Sequence, residues 1–386
     1  MKLPERLLLG PGPSPVSDRV MQAMGAPVLS HLDPIMMELL DDMRRRLAQA
    51  FRAADGALTL AISGTGTSGM EAAVANVTAP GARALVVVSG YFGDRLAQVL
   101  ERYGASVSRL NVTWGTACDP DQVERALVSE PADIVALVHG ETSTGVLNPA
   151  GAIVKIAERH GALTIVDAVT TLGAVPVDVA AWGADVCYSC TQKGLGAPSG
   201  LSPITFSRRA LERRVPCRSF YLDLRLLEDY WVHRKYHHTI SAPLVLALRE
   251  ALVAVAEEGL DERWERHRRH HVALVAGLAA LGVTLLPAPA DRLWTLNAVN
   301  VPGGLDEAAV RRRLLEQSGI EIGAGLGPLA GRIWRVGLMG DGSTLSNVVR
   351  FLAALEDAMR AVGHPPQSSS DAIDAAESAA SSPAEH

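Results

Sequence analysis

The stretch LTLAISGTGTSGMEAAVANV (residues 58–77) decides the fold class of this 386-residue chain. An apolar run at 58–63 leads through a glycine-rich turn into an alanine-rich helical segment. Similar apolar runs recur at 84–89, 134–139, 163–168, 185–190 and 203–207. Apolar strands without polar alternation, spaced by amphipathic helices, are typical of a parallel sheet covered on both faces. The sequence therefore predicts an α/β protein with a mostly parallel central sheet.

The length of the chain suggests two or three domains. Beyond Pro243 the alternation of strand and helix gives way to long helical runs and a few short strands, which indicates a smaller α+β domain. The last residues are rich in Ser, Ala and Pro and lack apolar periodicity, so we expect them to be disordered. The predicted divisions are an N-terminal segment (1–20), a large domain (21–257), a small C-terminal domain (258–363) and a disordered tail (364–386).

Composition and charge exclude several classes of protein. A hydrophobic content of 48% is too high for a disordered chain, and a net charge of −6 gives no general attraction to nucleic acid or anionic membranes. The basic run RWERHRRHH (263–271) has acids interspersed, so we interpret it as the solvated face of a helix rather than a nucleic-acid site. No apolar stretch reaches the ~18 residues of a membrane span. We therefore expect neither a nucleic-acid partner nor a membrane.

The cysteines and the N-terminus favour a cytoplasmic protein without a metal site. Four cysteines are too few for a disulfide framework in a chain of this length. Cys187 and Cys190 form a C-x-x-C without the second pair that a zinc site needs, so we interpret them as buried strand thiols. Charges beside a very short apolar run at the N-terminus argue against a signal peptide.

The turn GTGTSG (64–69) fits the glycine pattern that binds phosphate at the start of a helix. A dinucleotide site also needs an acid at the end of the next strand, but that strand ends Val88-Ser89-Gly90. The phosphate of a ligand other than a dinucleotide therefore fits the loop better. Two alternatives stay open, a tight turn with no ligand and a non-catalytic nucleotide-binding protein.

Lysine is rare in this chain, since only four of its 36 basic residues are Lys. Lys2, Lys155 and Lys235 lie in terminal or polar segments typical of a surface. Lys193 instead directly follows an apolar strand, and ligands of α/β proteins bind at that edge of the sheet. Partial burial there would lower its pKa and make its amine a nucleophile towards carbonyl groups.

Two further charged residues complete a pattern. Asp167 ends another apolar strand and needs a cationic partner, although Asp167 and Lys193 could simply form a structural ion pair. Arg335 lies within a strand of the small domain, where a buried guanidinium would bind a carboxylate at two points and an outward-facing one would not. A phosphate loop, a strand-end Asp and a strand-end Lys together match the needs of pyridoxal 5'-phosphate.

Eight motifs in order strengthen this interpretation: LLLGPGPSP, SGTGTSGMEAA, HGETSTGVLNP, VDAVTTLGAVP, YSCTQKGLGAPSGL, FYLDL, YHHT and WRVGLMG. From about residue 7 to 362 the chain resembles the class V, fold-type I aminotransferases. The resemblance is strongest to the alanine–glyoxylate and serine–pyruvate (serine–glyoxylate) enzymes. It implies the fold of the type I pyridoxal-phosphate-dependent transferases, with a large domain on a mostly parallel sheet and a smaller α+β domain.

The resemblance also implies roles for individual residues. Lys193 would form the Schiff base with the cofactor, Asp167 would pair with the pyridine nitrogen, and Arg335 would bind the substrate carboxylate. Ser143 would donate a hydrogen bond near O3' of the cofactor, and His31 would contact substrate. The remaining cofactor-binding residues implied are Thr65, Gly66, Thr67, Gln192, Phe92 stacked on the ring, and Tyr236 and Thr239 from the neighbouring subunit of a homodimer.

The expected activity is transfer of the amino group of alanine or serine to glyoxylate or pyruvate, in an active site shared between subunits. Two positions depart from the animal relatives: Phe92 stands where they carry Trp, and Thr67 where the family often has His. These changes put substrate preference in doubt. A different class V activity, on an aminophosphonate or on pyridoxamine, is the alternative within the fold.

Overall fold

The computed structural model describes residues 4–365 and 371–382. The strands are β1 (Leu7–Leu8), β2 (Leu58–Ser63), β3 (Arg83–Val88), β4 (Ser106–Asn111), β5 (Ile134–Val138), β6 (Gly140–Glu141), β7 (Val146–Leu147), β8 (Leu163–Asp167), β9 (Val186–Tyr188), β10 (Leu201–Phe206), β11 (Leu296–Asn300), β12 (Ile320–Glu321), β13 (Gly323–Ala324) and β14 (Ile333–Gly337). The helices are α1 (Asp18–Met24), α2 (Pro34–Phe51), α3 (Gly66–Val77), α4 (Tyr91–Arg102), α5 (Pro120–Ser129), α6 (Ala150–Arg159), α7 (Val179–Trp182), α8 (Arg208–Glu212), α9 (Leu224–Trp231), α10 (Ala242–Glu258), α11 (Leu260–Ala280), α12 (Glu307–Gln317), α13 (Leu345–Ala361) and α14 (Asp371–Ser381). None of the helices in these two ranges has the length and apolarity of a membrane span.

The central sheet has seven strands in the order β2-β10-β9-β8-β5-β3-β4. Only β10 runs antiparallel to its neighbours, so the prediction of a mostly parallel sheet in an α/β fold is confirmed. All six predicted runs form strands of this sheet. The sequence did not predict β4, because SVSRLN is polar and only half-buried, as suits an edge strand.

The register of three central strands brings chemistry-bearing residues to one edge of the sheet. Val138 at the end of β5 lies opposite Asp167 at the end of β8, and Asp167 lies opposite Tyr188 at the end of β9. Parallel strands end on the same side, so the side chains that follow them converge. Lys193 comes five residues after β9 and returns to the same edge.

The described residues form two large hydrophobic cores. The larger surrounds the central sheet, and the smaller joins α11 and α13 to the three-stranded sheet β11-β14-β13. The N-terminus contributes to the smaller core, because β1 pairs with β12 and Leu9 is fully buried there. The boundaries at 20, 257 and 363 stay predictions.

The tail forms a helix, and the prediction of disorder is wrong for Asp371–Ser381. Helix α14 buries Ala372 and Ala376 in the smaller core. The close packing depends on Gly277 of α11, where a Cβ atom would lie 2.9 Å from the Ala372 carbonyl oxygen. Alanines four residues apart form a face too weakly apolar for the sequence pattern to reveal. Residues 366–370 and 383–386 of the predicted tail lie outside the described residues.

The basic run at 263–271 is not a solvated face, so that interpretation is also wrong. The side chains of Arg263, Trp264, His267, His270 and His271 are buried. Positions four, seven and eight residues after 263 lie on one face of a helix, and α11 turns this face inwards. Polar partners within the protein replace water for Arg263 and the three histidines.

Candidate active site

A cavity of about 180 Å³ opens at the carboxyl edge of the central sheet. Its walls include six of the predicted cofactor residues: Thr65, Gly66, Thr67, Phe92, Asp167 and Gln192. Lys193 lies on the same wall, together with Thr142, Val169 and Cys190. The structure therefore brings the predicted lysine, aspartate and phosphate loop into one small space.

The N-terminus of α3 forms the polar end of this cavity. Thr65 is its N-cap residue, and no side chain caps the first turn. The N–H groups of a helix start lack partners within the helix and favour an anion. Gly66 allows the close approach of this turn, because a Cβ atom there would lie 3.0 Å from Val169 Cγ2. Gln192 adds a buried side-chain oxygen, Oε1, without a hydrogen-bond partner among the described residues.

Asp167 is buried and held by two donors. The Tyr188 hydroxyl donates to Oδ2 at 2.7 Å, and the Val169 N–H donates to Oδ1 at 2.8 Å. Burial raises the pKa of Asp167 to about 6, despite these hydrogen bonds. Burial also raises the pKa of Tyr188 well above its usual value, so the phenol stays a donor. With a pKa of about 6, Asp167 is mostly ionised at neutral pH. No cation lies within ion-pair distance of it in the described part of the chain, and a protonated ring nitrogen would supply one.

Lys193 is held against the N-terminal segment. Its Nζ donates to the Pro11 carbonyl oxygen, and the Ser14 hydroxyl donates to the Lys193 carbonyl oxygen at 2.9 Å. Gly12 makes room for the amine, since a Cβ atom there would overlap Nζ. Burial lowers the pKa of Lys193, and the charge of Arg335 lowers it further. A larger fraction of this amine is therefore neutral and nucleophilic than for a lysine in water.

Phe92 faces the cavity from the first turn of α4. The Arg95 guanidinium lies 5.1 Å from the centre of its ring, which fixes one face of the aromatic group by a cation–π contact. The ring is available to stack on a flat cofactor, as the resemblance implies.

Ser143 does not line the cavity. Its hydroxyl donates to Glu141 at 2.6 Å and accepts from the Tyr91 N–H at 2.9 Å. Its single proton is therefore engaged with Glu141, and the donation to the cofactor implied by the resemblance needs a rotated hydroxyl. Thr142 is the neighbour that reaches the cavity wall.

Glu141 is a site residue that the sequence analysis did not single out, although it lies within the quoted motif HGETSTG. It is fully buried, and it accepts from the N–H groups of Phe92 and Gly93 and from the N–H and hydroxyl of Ser143. Burial raises its pKa, while the hydrogen bonds from Ser143, Gly93 and Phe92 lower it. These hydrogen bonds hold the start of α4, and with it Phe92, beside Glu141.

Arg335 lies behind the cavity in β14 and is 8% exposed. Its Nε donates to the Ala324 carbonyl at 2.7 Å and its Nη1 to the Thr142 carbonyl at 3.4 Å. Among the described residues no carboxylate lies within ion-pair distance of it; burial lowers its pKa, while the charges of Glu141 and Glu321 raise it. A buried guanidinium served only by carbonyl oxygens is suited to bind an incoming carboxylate.

Besides Ser143 and Arg335, three more predicted residues are absent from the cavity wall. Tyr236 is 63% exposed, Thr239 is exposed, and His31 is half-buried. The rings of His31 and Tyr236 lie beside each other, with centroids 5.2 Å apart. The roles implied for Tyr236 and Thr239 from a neighbouring subunit, and for His31 as a substrate contact, stay predictions.

The residues on the cavity wall fit pyridoxal 5'-phosphate. The uncapped start of α3 suits its phosphate, and the Gln192 side chain on the cavity wall can donate to it through its NH2 group. Buried Asp167 suits its ring nitrogen. Lys193 suits its aldehyde. The fold and this site together define a pyridoxal-phosphate-dependent enzyme of fold type I.

Comparisons with known proteins identify the family. The sequence model of the class-V aminotransferases matches residues 8–333. The (S)-ureidoglycine–glyoxylate transaminase of Bacillus subtilis is 40% identical over 92% of this chain and 90% of its own length. The alanine–glyoxylate aminotransferase of Oryctolagus cuniculus is 38% identical, over 92% of this chain and 93% of that protein. The crystal structure of alanine–glyoxylate aminotransferase from Nostoc sp. superimposes with a TM-score of 0.91 at 44% identity, over 93% of this chain and 97% of that one.

The chain belongs to the class-V aminotransferase family. The match covers most of the chain and includes the segments that carry Lys193, Asp167 and the phosphate loop. The prediction of a pyridoxal-phosphate-dependent aminotransferase is confirmed. No comparison tests the roles of the individual site residues, which stay predictions supported by the geometry above.

Proposed function

We propose that this enzyme transfers the amino group of a small amino acid, alanine or serine, to glyoxylate or pyruvate. Glyoxylate is the stronger acceptor candidate, because it is named for both the Bacillus and the rabbit relatives. The donors named for those two proteins differ, so the comparisons favour the acceptor more than the donor. The small cavity of about 180 Å³ supports short side chains on the donor.

The observation that carries the proposal is the unpaired, buried guanidinium of Arg335 beside the lysine. The Thr142 carbonyl that accepts from Arg335 also lies on the cavity wall with Lys193. Pro11 links the two residues from the other side, because its carbonyl accepts from Lys193 and its ring packs on Gly323, the strand partner of Arg335. A substrate whose carboxylate binds Arg335 would therefore present its amino group towards the lysine.

The side chains divide the chemistry between them. Bound pyridoxal phosphate supplies an electron sink that makes the substrate Cα–H acidic. Asp167 holds a proton on the ring nitrogen, which a buried carboxylate with two fixed donors is placed to do. The neutral amine of Lys193 removes the proton from the substrate Cα and later returns a proton as a general acid. Phe92 lines the cavity, where it would stack on the cofactor ring and exclude water.

A homodimer with shared active sites is part of the proposal. Phe220 is 73% exposed and Tyr236 63%, and the Phe220 ring stacks on His237 beside them. Exposed aromatic groups gathered in this way are typical of a surface that meets a partner. Such a partner would bring Tyr236 and Thr239 to the phosphate end of the neighbouring cavity, and analytical ultracentrifugation tests the dimer.

A reducing, cytoplasmic location also stays a proposal, supported by the four free cysteines.

A screen of half-reactions tests the proposed substrates. The holoenzyme is mixed with alanine, serine, (S)-ureidoglycine or aminoethylphosphonate, and the loss of its visible absorption band is followed for each donor. We expect alanine or serine to convert the band, and glyoxylate to restore it faster than pyruvate does. Conversion by (S)-ureidoglycine alone, or by aminoethylphosphonate alone, would replace the proposed donor class.

The proposed role of Arg335 is tested by Arg335→Lys. An ammonium group cannot bind a carboxylate at two points, so we expect KM for the amino donor to rise about 100-fold. Arg332→Lys is the matched control, because Arg332 is exposed just before the same strand. Steady-state kinetics with alanine, and with ethylamine as a donor lacking the carboxylate, measure the effect. Unchanged discrimination between alanine and ethylamine in Arg335→Lys would contradict the assignment.

A further inference from the structure

The basic segment RWERHRRHH is buried against the active site, and the proposed function gives it no role. Its inward face carries Arg263, Arg266 and His267 on α11. Arg263 is 3% exposed, although it bears a permanent charge. A buried guanidinium is costly unless all its donors are used, so its partners indicate what it does.

Arg263 donates hydrogen bonds to two backbone carbonyls and one carboxylate. Its Nε donates to the Gly173 carbonyl at 2.9 Å and its Nη2 to the Gly194 carbonyl at 2.9 Å. Its Nη1 donates to Glu258 Oε2 at 2.5 Å. The planar guanidinium therefore fixes the distance between two loops, which a single point charge cannot do.

The two carbonyls belong to the loops that carry the central residues of the site. Gly194 directly follows Lys193, and Gly173 lies in the turn that follows Asp167. The loops touch each other closely, since a Cβ atom on Gly194 would lie 2.4 Å from the Leu172 carbonyl oxygen. Arg263 joins these loops without lining the cavity itself.

The next turn of α11 reaches a third loop. Arg266 donates to the Ser343 carbonyl at 2.7 Å, and His267 Nε2 accepts from the Gly340 N–H at 3.1 Å. Gly340 follows β14, the strand of Arg335, and a Cβ atom there would lie 3.2 Å from the Lys193 carbonyl oxygen. One helix face thus ties the loops after Asp167, Lys193 and Arg335 to one another.

Glu258 supplies the negative charge of this cluster. It accepts from Arg263 and also from Arg266, at 2.5 Å to Oε1 and 3.1 Å to Oε2. Burial raises its pKa, but the hydrogen bonds and charges of the two arginines outweigh burial and bring it below the usual value. The carboxylate is therefore ionised and holds both guanidinium groups in place.

We propose that Arg263 is a positioning residue for Lys193: its fork between the Gly173 and Gly194 carbonyls sets the place of the lysine backbone relative to the Asp167 loop. The inference rests on the proposed function, because it assumes that Lys193 binds the cofactor. A displacement of the lysine by a fraction of an ångström would slow its reaction with an aldehyde fixed by the phosphate loop and Asp167. The same displacement would leave the binding of the cofactor's ring and phosphate unchanged.

Two forms of the cofactor separate the reaction of Lys193 with the aldehyde from the binding of the ring and phosphate. Pyridoxal 5'-phosphate reacts with Lys193 through its aldehyde, whereas pyridoxamine 5'-phosphate has the same ring and phosphate but no aldehyde. The cofactor-free full-length chain is prepared as wild type, Arg263→Lys, Arg263→Ala and Arg268→Ala. Arg268 is the matched control, because it lies on α11 and pairs with Glu265 of the same helix. Absorbance gives the rate of covalent attachment, and fluorescence titration gives the Kd of pyridoxamine phosphate.

We expect attachment to slow about 10-fold in Arg263→Lys and about 100-fold in Arg263→Ala, since misplacing a reacting group has effects of this size. The Kd of pyridoxamine phosphate should stay within about twofold of wild type in both variants, and Arg268→Ala should behave as wild type. If Arg263→Ala does not fold, Arg263→Lys alone carries the test.

Three results would overturn the inference. They are wild-type attachment in Arg263→Lys, equal slowing in Arg268→Ala, and a parallel loss of affinity for both cofactor forms, which would make Arg263 a general structural residue. Failure of wild type itself to attach pyridoxal phosphate would instead overturn the proposed function. The two failures are therefore distinguishable.

Discussion

Lys193→Ala is expected to lower kcat by about 10⁴-fold or more, because the variant loses both the covalent attachment of the cofactor and the acid–base group at the substrate Cα. Among the residues that the structure describes, no other lysine lies on the cavity wall. The purified variant should lack the visible absorption band of the holoenzyme, and stopped-flow kinetics with alanine should show no conversion on the wild-type timescale.

The control for this variant is Lys155→Ala. Lys155 is exposed on α6, so its removal should leave the spectrum and turnover unchanged. Normal turnover by Lys193→Ala would contradict the assignment of Lys193. Added methylamine, which is small enough to enter the emptied space, should restore part of the proton transfer if the amine acts as the base.

Asp167→Asn is expected to lower kcat by about 10²- to 10³-fold, because a neutral amide cannot hold the ring nitrogen in its protonated form. The phosphate end of the cavity is untouched by this change, so the variant should still bind pyridoxamine phosphate. Transient absorbance of the half-reaction with alanine measures the loss. Asp185→Asn is the matched control, because Asp185 is a buried carboxyl group at the amino edge of the same sheet, with a pKa raised chiefly by burial.

Asp167 also has a signature in the cofactor-free protein. Its folded-state pKa of about 6 lies above the ordinary value of 3.8, so the folded protein binds the proton more tightly than the unfolded chain does. As pH rises from about 4 to 6, wild type should lose stability relative to Asp167→Asn, and the difference should stay constant above that range. Denaturant unfolding at several pH values measures this difference. A pH-independent difference between the two proteins would contradict a raised pKa at Asp167.

The sheet and the reacting residues were predictable because their signals are local. Apolar runs such as 163–168 predict strands on their own, and a Lys or Asp at the end of such a run must lie at the edge where ligands bind. The motif around Lys193 then points to the cofactor. The family comparison confirmed the cofactor, whereas the roles of Lys193 and Asp167 stay predictions.

The supporting residues could not be predicted because their partners are distant in sequence. Arg263 contacts carbonyls 69 and 90 residues away, and a basic segment with interspersed acids has the same composition whether it faces water or protein. Glu141 likewise acts on backbone N–H groups 48 and 49 residues earlier. The C-terminal helix was missed for a different reason, since the alanines that pack it carry little hydrophobic signal.

The central claim is that Lys193 is the residue to which pyridoxal phosphate is attached, and peptide mapping tests it most directly. The holoenzyme is reduced with borohydride to fix the cofactor on its lysine, digested, and analysed by mass spectrometry. The chain has only four lysines, so the assignment is unambiguous. We predict that the cofactor's mass is found on the peptide containing Lys193; its presence on Lys155 or Lys235, or its absence from every peptide, would contradict the claim.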